Sequence, residues 1–478
     1  MSAVTQPPRI PSVRAAGRGW SSDEIEAMAS RWRFEILEGI GEGPRPVAGA
    51  VPATPEGVAL LAALTSLPSP AILLAPDARA WRSVPPLPAG TLVALPPSLA
   101  HFAPVAEQLG CVPRMLSDPH STPARRGPSL IVLESPGVVL FTSGSSGTPR
   151  PVFRRMNALL AGVTARLEAL GVESGDGIVA GVSLAHGYGL NTVLSSMVLG
   201  GPLGLLDPLD YRAALATLAR LEFTSWSATA HFADVLSRCA LTGPAIAPKI
   251  CLVSGPISQA VFDAFRDRFG VPLRQNYSSS ETGVIALDAA PPAHVRPGTV
   301  GRPLAGVDVR IGNHPDEPSP PDEAGRVWVR SPWQMAGYGF PPAVERPGEV
   351  DGWWPTRDLG MLEPDGRLVL AGCIDDCIRT RDGRLVNLAI VASSLRTTGG
   401  VRDVAVVPLQ SPAGASFGAV LECDSSVTLA TLKERLSKAL PPWAWPRDMV
   451  IVQSLPRLAS GKPDRRSCSA MLRGHPSL

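Results

Sequence analysis

The sequence predicts an α/β protein built in several layers, and three stretches carry that prediction. Between Ser21 and Leu133, short apolar runs such as Val58–Leu64 and Ala71–Leu74 alternate with Pro-rich turns, the rhythm of stacked strands and helices. Val138–Phe141 is an uncharged β-branched and aromatic run, as a strand buried on both faces requires. It is followed by Leu159, Leu160, Val163, Leu167 and Leu170 at helical spacing between Met156 and Leu170. Beyond Asp375, Val404–Pro408, Gly418–Cys423 and Met449–Val452 read as strands, with Leu429, Leu432, Leu436 and Leu440 on one face of a helix begun by Thr428. This last part is expected to be a small α+β domain.

Composition bounds the answer. A chain of 478 residues, 45% of them hydrophobic and 18% charged, can bury a large core in more than one domain. A net charge of +2 gives no reason to expect nucleic acid or an anionic membrane as partner. Seven scattered cysteines lack metal-ligand pairing, Cys373 and Cys377 included, and are expected to be free thiols in a reducing cytoplasm. The first twenty residues, rich in Pro and Arg, have no apolar signal core and are expected to form a disordered arm, and no run is apolar enough to span a membrane.

The chain's chemistry is organised around Val138–Val152, VVLFTSGSSGTPRPV. A strand empties into Thr142, Ser143, Gly144, Ser145, Ser146, Gly147 and Thr148, where hydroxyls alternate with glycines whose missing Cβ lets backbone N–H groups close on an anion. Arg150 ends the loop with a fixed charge. Taken alone, a Ser/Gly stretch is also an ordinary flexible linker. The helix after it, starting beside the loop, is expected to aim its positive end at a bound phosphate.

This stretch resembles the phosphate loop of the acyl-adenylating superfamily, which includes acyl- and aryl-CoA synthetases, peptide-synthetase adenylation domains and luciferases, with Arg150 for the usual lysine and Pro151 for a glycine. Five further segments resemble the family's motifs in the same order. Val182–Leu190 (VSLAHGYGL) is similar to the wall of the acid pocket, which implies His186, Tyr188 and Gly189 as pocket residues; no Asp stands where amino-acid-activating members hold an ammonium. Gln275–Gly283 (QNYSSSETG) implies Tyr277 as a stacking face for the purine, Ser280 on the α-phosphate, Glu281 on Mg²⁺ and Asn276 near the acid. Asp351–Gly360 (DGWWPTRDLG) implies Asp358 on the ribose hydroxyls, and Leu370–Arg379 (LAGCIDDCIR) implies Asp375 as hinge, with Cys373 in place of the nucleotide arginine. Leu455–Arg466 (LPRLASGKPDRR) implies Lys462 as the catalytic lysine, notable where the only other lysines are Lys249, Lys433 and Lys438. Between these, Ser225–Leu236 is expected to line the acid pocket through Trp226, and Ser254, Gly255 and Pro256 to border adenine.

Each segment also has a plain reading by itself: a core histidine, an N-cap with an acidic first turn, a capping aspartate, a surface lysine. Their order is what the resemblance rests on. It implies a large domain of layered α/β subdomains with a small β subdomain (residues 21–374), then a small mobile α+β domain (residues 375–478). It further implies ATP and Mg²⁺, catalytic roles for Thr142, Ser280, Glu281 and Lys462, and a carboxylic acid, aryl or medium acyl, activated as its adenylate. The acyl group would pass to CoA or to phosphopantetheine on an acyl or aryl carrier protein. A cytoplasmic monomer or homodimer is expected. A non-catalytic binding protein on the same scaffold, or transfer to an amine or hydroxyl, are the alternatives.

Overall fold

A computed structural model describes residues 8–41, 45–118, 133–142, 149–207, 210–239, 247–320, 323–379, 385–396, 400–411, 414–423, 427–457 and 463–473. Two compact units result. The first holds Met1–Asp308 and Arg330–Trp354, the second Val309–Val329 and Pro355–Leu478.

In the first unit an eight-stranded sheet is parallel at its centre. Val47–Ala50 lies between Ala71–Leu74 and Leu92–Leu95, and Ala71–Leu74 pairs with β1 (Gly137–Phe141). Every residue of the first three strands is buried, which is why they read as unbroken apolar runs. β1 turns back into β2 (Pro151–Arg155), antiparallel to it, and only then does helix α1 (Met156–Leu170) begin, with the Met156 N–H on the Pro136 carbonyl. The expectation that this helix points its N-terminus at the Ser/Gly loop is therefore corrected: a five-residue strand, about 17 Å long, separates them.

The second sheet has nine strands, with β3 (Gly177–Gly181) followed by helix α2 (Gly187–Leu199), then β4 (Phe223–Thr229), α3 (Ala230–Arg238), β5 (Ile250–Ser254), α4 (Gln259–Phe269), β6 (Leu273–Ser279) and β7 (Gly283–Leu287). β3 to β6 are parallel, and β6 and β7 form an antiparallel hairpin. Thr229 caps α3 by accepting the Phe232 N–H at 3.1 Å. At the far edge, Val13–Ala15 pairs in parallel with Leu203–Leu205 and Arg18–Trp20 folds back on it. The described part of the expected disordered arm is thus a strand pair. Ile10 and Val13 are buried against a sheet edge already in place, so two apolar residues suffice where no isolated segment could order itself. Arg302–Pro303 pairs with β7.

The second unit carries a five-stranded sheet that includes β8 (Trp354–Leu362) and β9 (Leu368–Cys373), and a three-stranded sheet of β10 (Val401–Ser411), β11 (Gly414–Cys423) and β12 (Asp448–Val452). Helices α5 (Leu388–Arg396), α6 (Leu429–Ala439) and α7 (Arg465–Arg473) accompany the latter, and Thr428 caps α6 as its sequence predicts. Asp403 ties this sheet together, accepting Arg396 Nε at 3.0 Å, Arg457 Nη2 at 2.7 Å and the Val404 N–H at 2.8 Å. Burial disfavours its charge, but Arg396 and Arg457 outweigh that and hold its carboxyl below the ordinary carboxylate range. A depressed folded value stabilises above the unfolded pKa, about 3.9, and that stabilisation is lost as pH falls through the folded value. Asp403→Asn is expected to melt below the native protein at pH 7, with the gap closing under about pH 4; equal melting at pH 7 would contradict this.

Candidate active site

The Ser/Gly loop leaves and rejoins the sheet through a closed base. The Thr142 N–H donates to the Arg150 carbonyl at 3.0 Å, and the Arg150 N–H to Thr142 Oγ1 at 3.3 Å. Residues 143–147, all expected to hold phosphate, lie outside the described residues, as does Lys462.

Against that base stands the β6–β7 hairpin. Ser280, Glu281 and Thr282 form its turn, with Ser279 Oγ accepting the Thr282 N–H at 3.0 Å. The alternative reading of these residues as a helix N-cap is thereby excluded, because a strand follows. The Glu281 carbonyl accepts the Met335 N–H at 2.7 Å, and Glu281 Oε1 accepts the Tyr338 hydroxyl at 2.7 Å. The Arg150 guanidinium carbon in turn lies 3.4 Å from the centre of the Tyr338 ring. One tyrosine thus joins the loop's cation to the candidate metal carboxylate.

Beneath them Arg154, 3% exposed, donates to the carbonyls of Ser280 at 2.9 Å and Trp333 at 2.8 Å. Burial pushes its guanidinium down to about 10, with Glu281 opposing the shift, so it stays charged at neutral pH. Gly283 completes the packing: φ is +73°, and a Cβ there would meet Trp333 Cδ1 at 2.6 Å and Arg154 Nη2 at 2.9 Å. Sequence reasoning missed Arg154, Trp333 and Tyr338. Tyr338 is one of only four tyrosines, a weak signal, and Arg154 in its strand offers none.

The other expected residues are distributed along the same sheet. Ser254 ends β5, Gly255 follows at φ +106° and accepts Gln275 Nε2 at 3.3 Å, with Pro256 next, and Tyr277 lies in β6, 7% exposed. His186 is the N-cap residue of α2, and Tyr188 donates its hydroxyl to the Leu252 carbonyl at 3.2 Å. Burial pushes that hydroxyl up to about 12, so it is a neutral donor. Gly189 is required by a close approach, since a Cβ would lie 2.0 Å from the Ser183 carbonyl oxygen. Gly189→Ala is expected to cost about 1–3 kcal/mol and to displace the 183–189 segment; unchanged melting and activity would show that the segment adapts.

Trp226 is not brought together with Tyr188. It is fully buried on the opposite face of β4, its ring stacked on Phe265 at 5.9 Å, while its neighbour Ser227 faces Tyr188. Its expected place in the acid pocket is corrected accordingly.

In the second unit Asp358 lies in β8, its N–H on Thr356 Oγ1 at 3.2 Å, so it is a strand residue and no turn cap. It stands directly across from Cys373 of β9, the position of the family's arginine. Asp375 falls in the one-turn helix Ile374–Asp376. Arg457 and Pro463 form a backbone bridge on either side of residues 458–462, and the Asp464 N–H reaches the Pro456 carbonyl at 2.8 Å, so the segment bearing Lys462 is anchored at both ends.

Among the described residues no group of three His, Cys, Asp or Glu side chains could hold a metal ion alone. A Mg²⁺ that keeps its waters and binds through one carboxylate and substrate phosphates fits Glu281.

The family model described as "AMP-binding enzyme" matches residues 97–339. A 2-succinylbenzoate–CoA ligase of Enterococcus faecalis is 28% identical over 341 residues, 69% of this chain and 68% of the ligase. A medium/long-chain-fatty-acid–[acyl-carrier-protein] ligase of Mycobacterium tuberculosis is 30% identical over 375 residues, 70% of this chain and 66% of the relative. The amide bond synthetase McbA of Marinactinospora thermotolerans superposes with a TM-score of 0.79 at 25% identity, covering 97% of both chains. The o-succinylbenzoate CoA synthetase of Bacillus subtilis, in complex with its acyl-adenylate intermediate, superposes at 0.80 and 20% identity over 97% and 96%, and shares the fold. Its matched span taking in just over half of the residues, the chain belongs to the AMP-binding enzyme family.

Proposed function

We propose that the protein is an AMP-forming acid–thiol ligase. A carboxylate oxygen attacks the α-phosphorus of ATP, the bond to the β-phosphate breaks, and pyrophosphate leaves. A thiol of CoA or of carrier-protein phosphopantetheine then attacks the acyl carbon, loses its proton, and displaces AMP. The observation that carries the reading is the convergence of Arg150, Tyr338 and Glu281 at the base of the Ser/Gly loop. It supplies a cation and a carboxylate where a polyphosphate and its metal are handled. The two relatives bearing ligase names act on acids and transfer to CoA or to a carrier protein.

No side chain acts as nucleophile, so the chain's work is positioning and charge stabilisation. Thr142, Ser143, Gly144, Ser145, Ser146, Gly147 and Arg150 hold the terminal phosphates, Ser280 the α-phosphate and Asp358 the ribose. Tyr277 stacks on the purine, which Ser254, Gly255 and Pro256 border. Mg²⁺, when bound at Glu281, neutralises phosphate charge. Tyr338 orients the Glu281 carboxylate, and Lys462 meets the negative charge gathering between carboxylate and α-phosphate. His186, Tyr188, Gly189 and Asn276 surround an aryl or medium acyl group, without the acidic anchor an α-amino acid needs. Residues 375–478, turning at Asp375, bring Lys462 to the first half-reaction and withdraw it for the second.

The test is product analysis with ATP, Mg²⁺ and a panel of acids, offering CoA, a phosphopantetheinylated carrier, an amine and an alcohol as acceptors. AMP with a thioester is expected. AMP with an amide or ester would move the acceptor to nitrogen or oxygen, and ATP binding without AMP would make the protein a binder only.

A further inference from the structure

The nine-stranded sheet has two unlike faces. Trp226 pairs with Val179 and Cys251 in the strand register and lies with them in an aromatic core under α3 and α4. The next row, Ser227 beside Ala180 and Leu252, turns the other way, and Arg274 continues it beyond Leu252. Ala180 packs with residues of α1 and α2, so Ser227, Arg274 and, two residues on, Asn276 look toward those helices.

The helices carry buried polar groups among the apolar residues of that layer. Tyr188, Thr192 and Ser195 run along α2 from the pocket segment inward, and all of Thr192 and Ser195 is buried. At the layer's inner end lies Arg166 of α1, 2% exposed, with Nη2 on Ser195 Oγ at 2.5 Å.

Among the described residues three arginines are buried, and Arg166 differs from the other two. Arg154 has two carbonyls and the charge of Glu281; Arg274 has the carbonyls of Asp288 and Ala290 and the charge of Asp288. Arg166 Nε and Nη1 have no partner among the described residues, and no described carboxylate forms an ion pair with it. Its titratable neighbour is Tyr188, whose hydroxyl is neutral at physiological pH and supplies no counter-charge. Asn276 Oδ1, on the facing strand, is also unpartnered. A buried guanidinium without counter-charge is costly to the free protein, and its cost is relieved when a ligand brings the missing anion.

We propose that the acid carries a second carboxylate, which docks on Arg166 at the inner end of the polar layer between α1, α2 and the sheet, making Arg166 a specificity-determining residue and a dicarboxylic acid the substrate class. The inference rests on the acid-activating reading above and narrows it. Ser195 lies about 10 Å along the helix from Tyr188, so the second carboxylate belongs at the far end of a medium-length or aryl chain.

The test pairs octanedioate with octanoate, and 4-(4-carboxyphenyl)butanoate with 4-phenylbutanoate. Calorimetric binding without ATP and acid-dependent pyrophosphate release are both measured on the full chain, for the native protein, Arg166→Met and Arg166→Lys. The native protein is expected to favour a diacid over its matched monoacid at least tenfold in one of the two pairs. Arg166→Met is expected to abolish that preference while melting no lower than the native protein, and Arg166→Lys to keep part of it. Equal use of diacid and monoacid in both pairs, a preference retained by Arg166→Met, or destabilisation of Arg166→Met without loss of preference would overturn the assignment. Pyrophosphate released with monoacids alone sinks this inference and leaves acid activation standing. Release with no acid sinks the ligase reading, and calorimetry then decides Arg166 separately: no tighter binding of either diacid overturns it.

Discussion

Arg154→Met is expected to lose about 3–5 kcal/mol of stability, read as a lowered urea midpoint. Among the described residues the guanidinium joins strand β2 to the Ser280 and Trp333 carbonyls, and its removal leaves a part-buried and a buried oxygen without that donor. Lysine is a poor substitute, since a single ammonium on a flexible stem does not reproduce the planar reach to two carbonyls. Arg154→Lys should therefore fall between. The turn carrying Glu281 depends on these bonds, so both variants should lose ATP-dependent activity beyond what their stability predicts. An Arg154→Met protein with an unchanged midpoint would show that the two carbonyls find other donors.

Lys462→Ala is expected to lower acid-dependent pyrophosphate release by about 10²–10³-fold with melting unchanged. The residues flanking its segment are held by the Arg457–Pro463 backbone bridge, and Asp464 caps α7 just beyond, its Oδ1 accepting the Arg466 N–H at 3.0 Å. None of those contacts involves the lysine side chain. A drop confined to the first half-reaction, with thioester formation from a supplied adenylate retained, is the signature of charge stabilisation at the α-phosphate. An equal loss in both halves would mean a disturbed domain.

Much of the fold was legible because its signals are local. The fully buried parallel strands read as apolar runs, α1 as apolar residues at helical spacing, and Thr428 as a cap, each decided by neighbours in sequence. What stayed hidden is decided across the sheet. Alternation along β4 separates Trp226 from Ser227, but which face holds the aromatic core depends on where α3 and α4 cross, and no residue near Trp226 encodes that. Ile10 and Val13 are too few to announce a strand and form one only because Leu203–Leu205 offers an edge. Within the site, the Ser/Gly loop and Glu281 were visible as motifs. Arg154 and Tyr338 join them from a separate strand and a distant segment, and their roles exist only once the β6–β7 hairpin meets the base of the loop.

The most direct test of acid activation is pyrophosphate release from ATP and Mg²⁺, measured across aryl, short, medium and long mono- and dicarboxylic acids for the native protein beside Lys462→Ala. Release that depends on the acid and is lost in the variant is expected. Release that ignores the acid, or that survives Lys462→Ala undiminished, would contradict it.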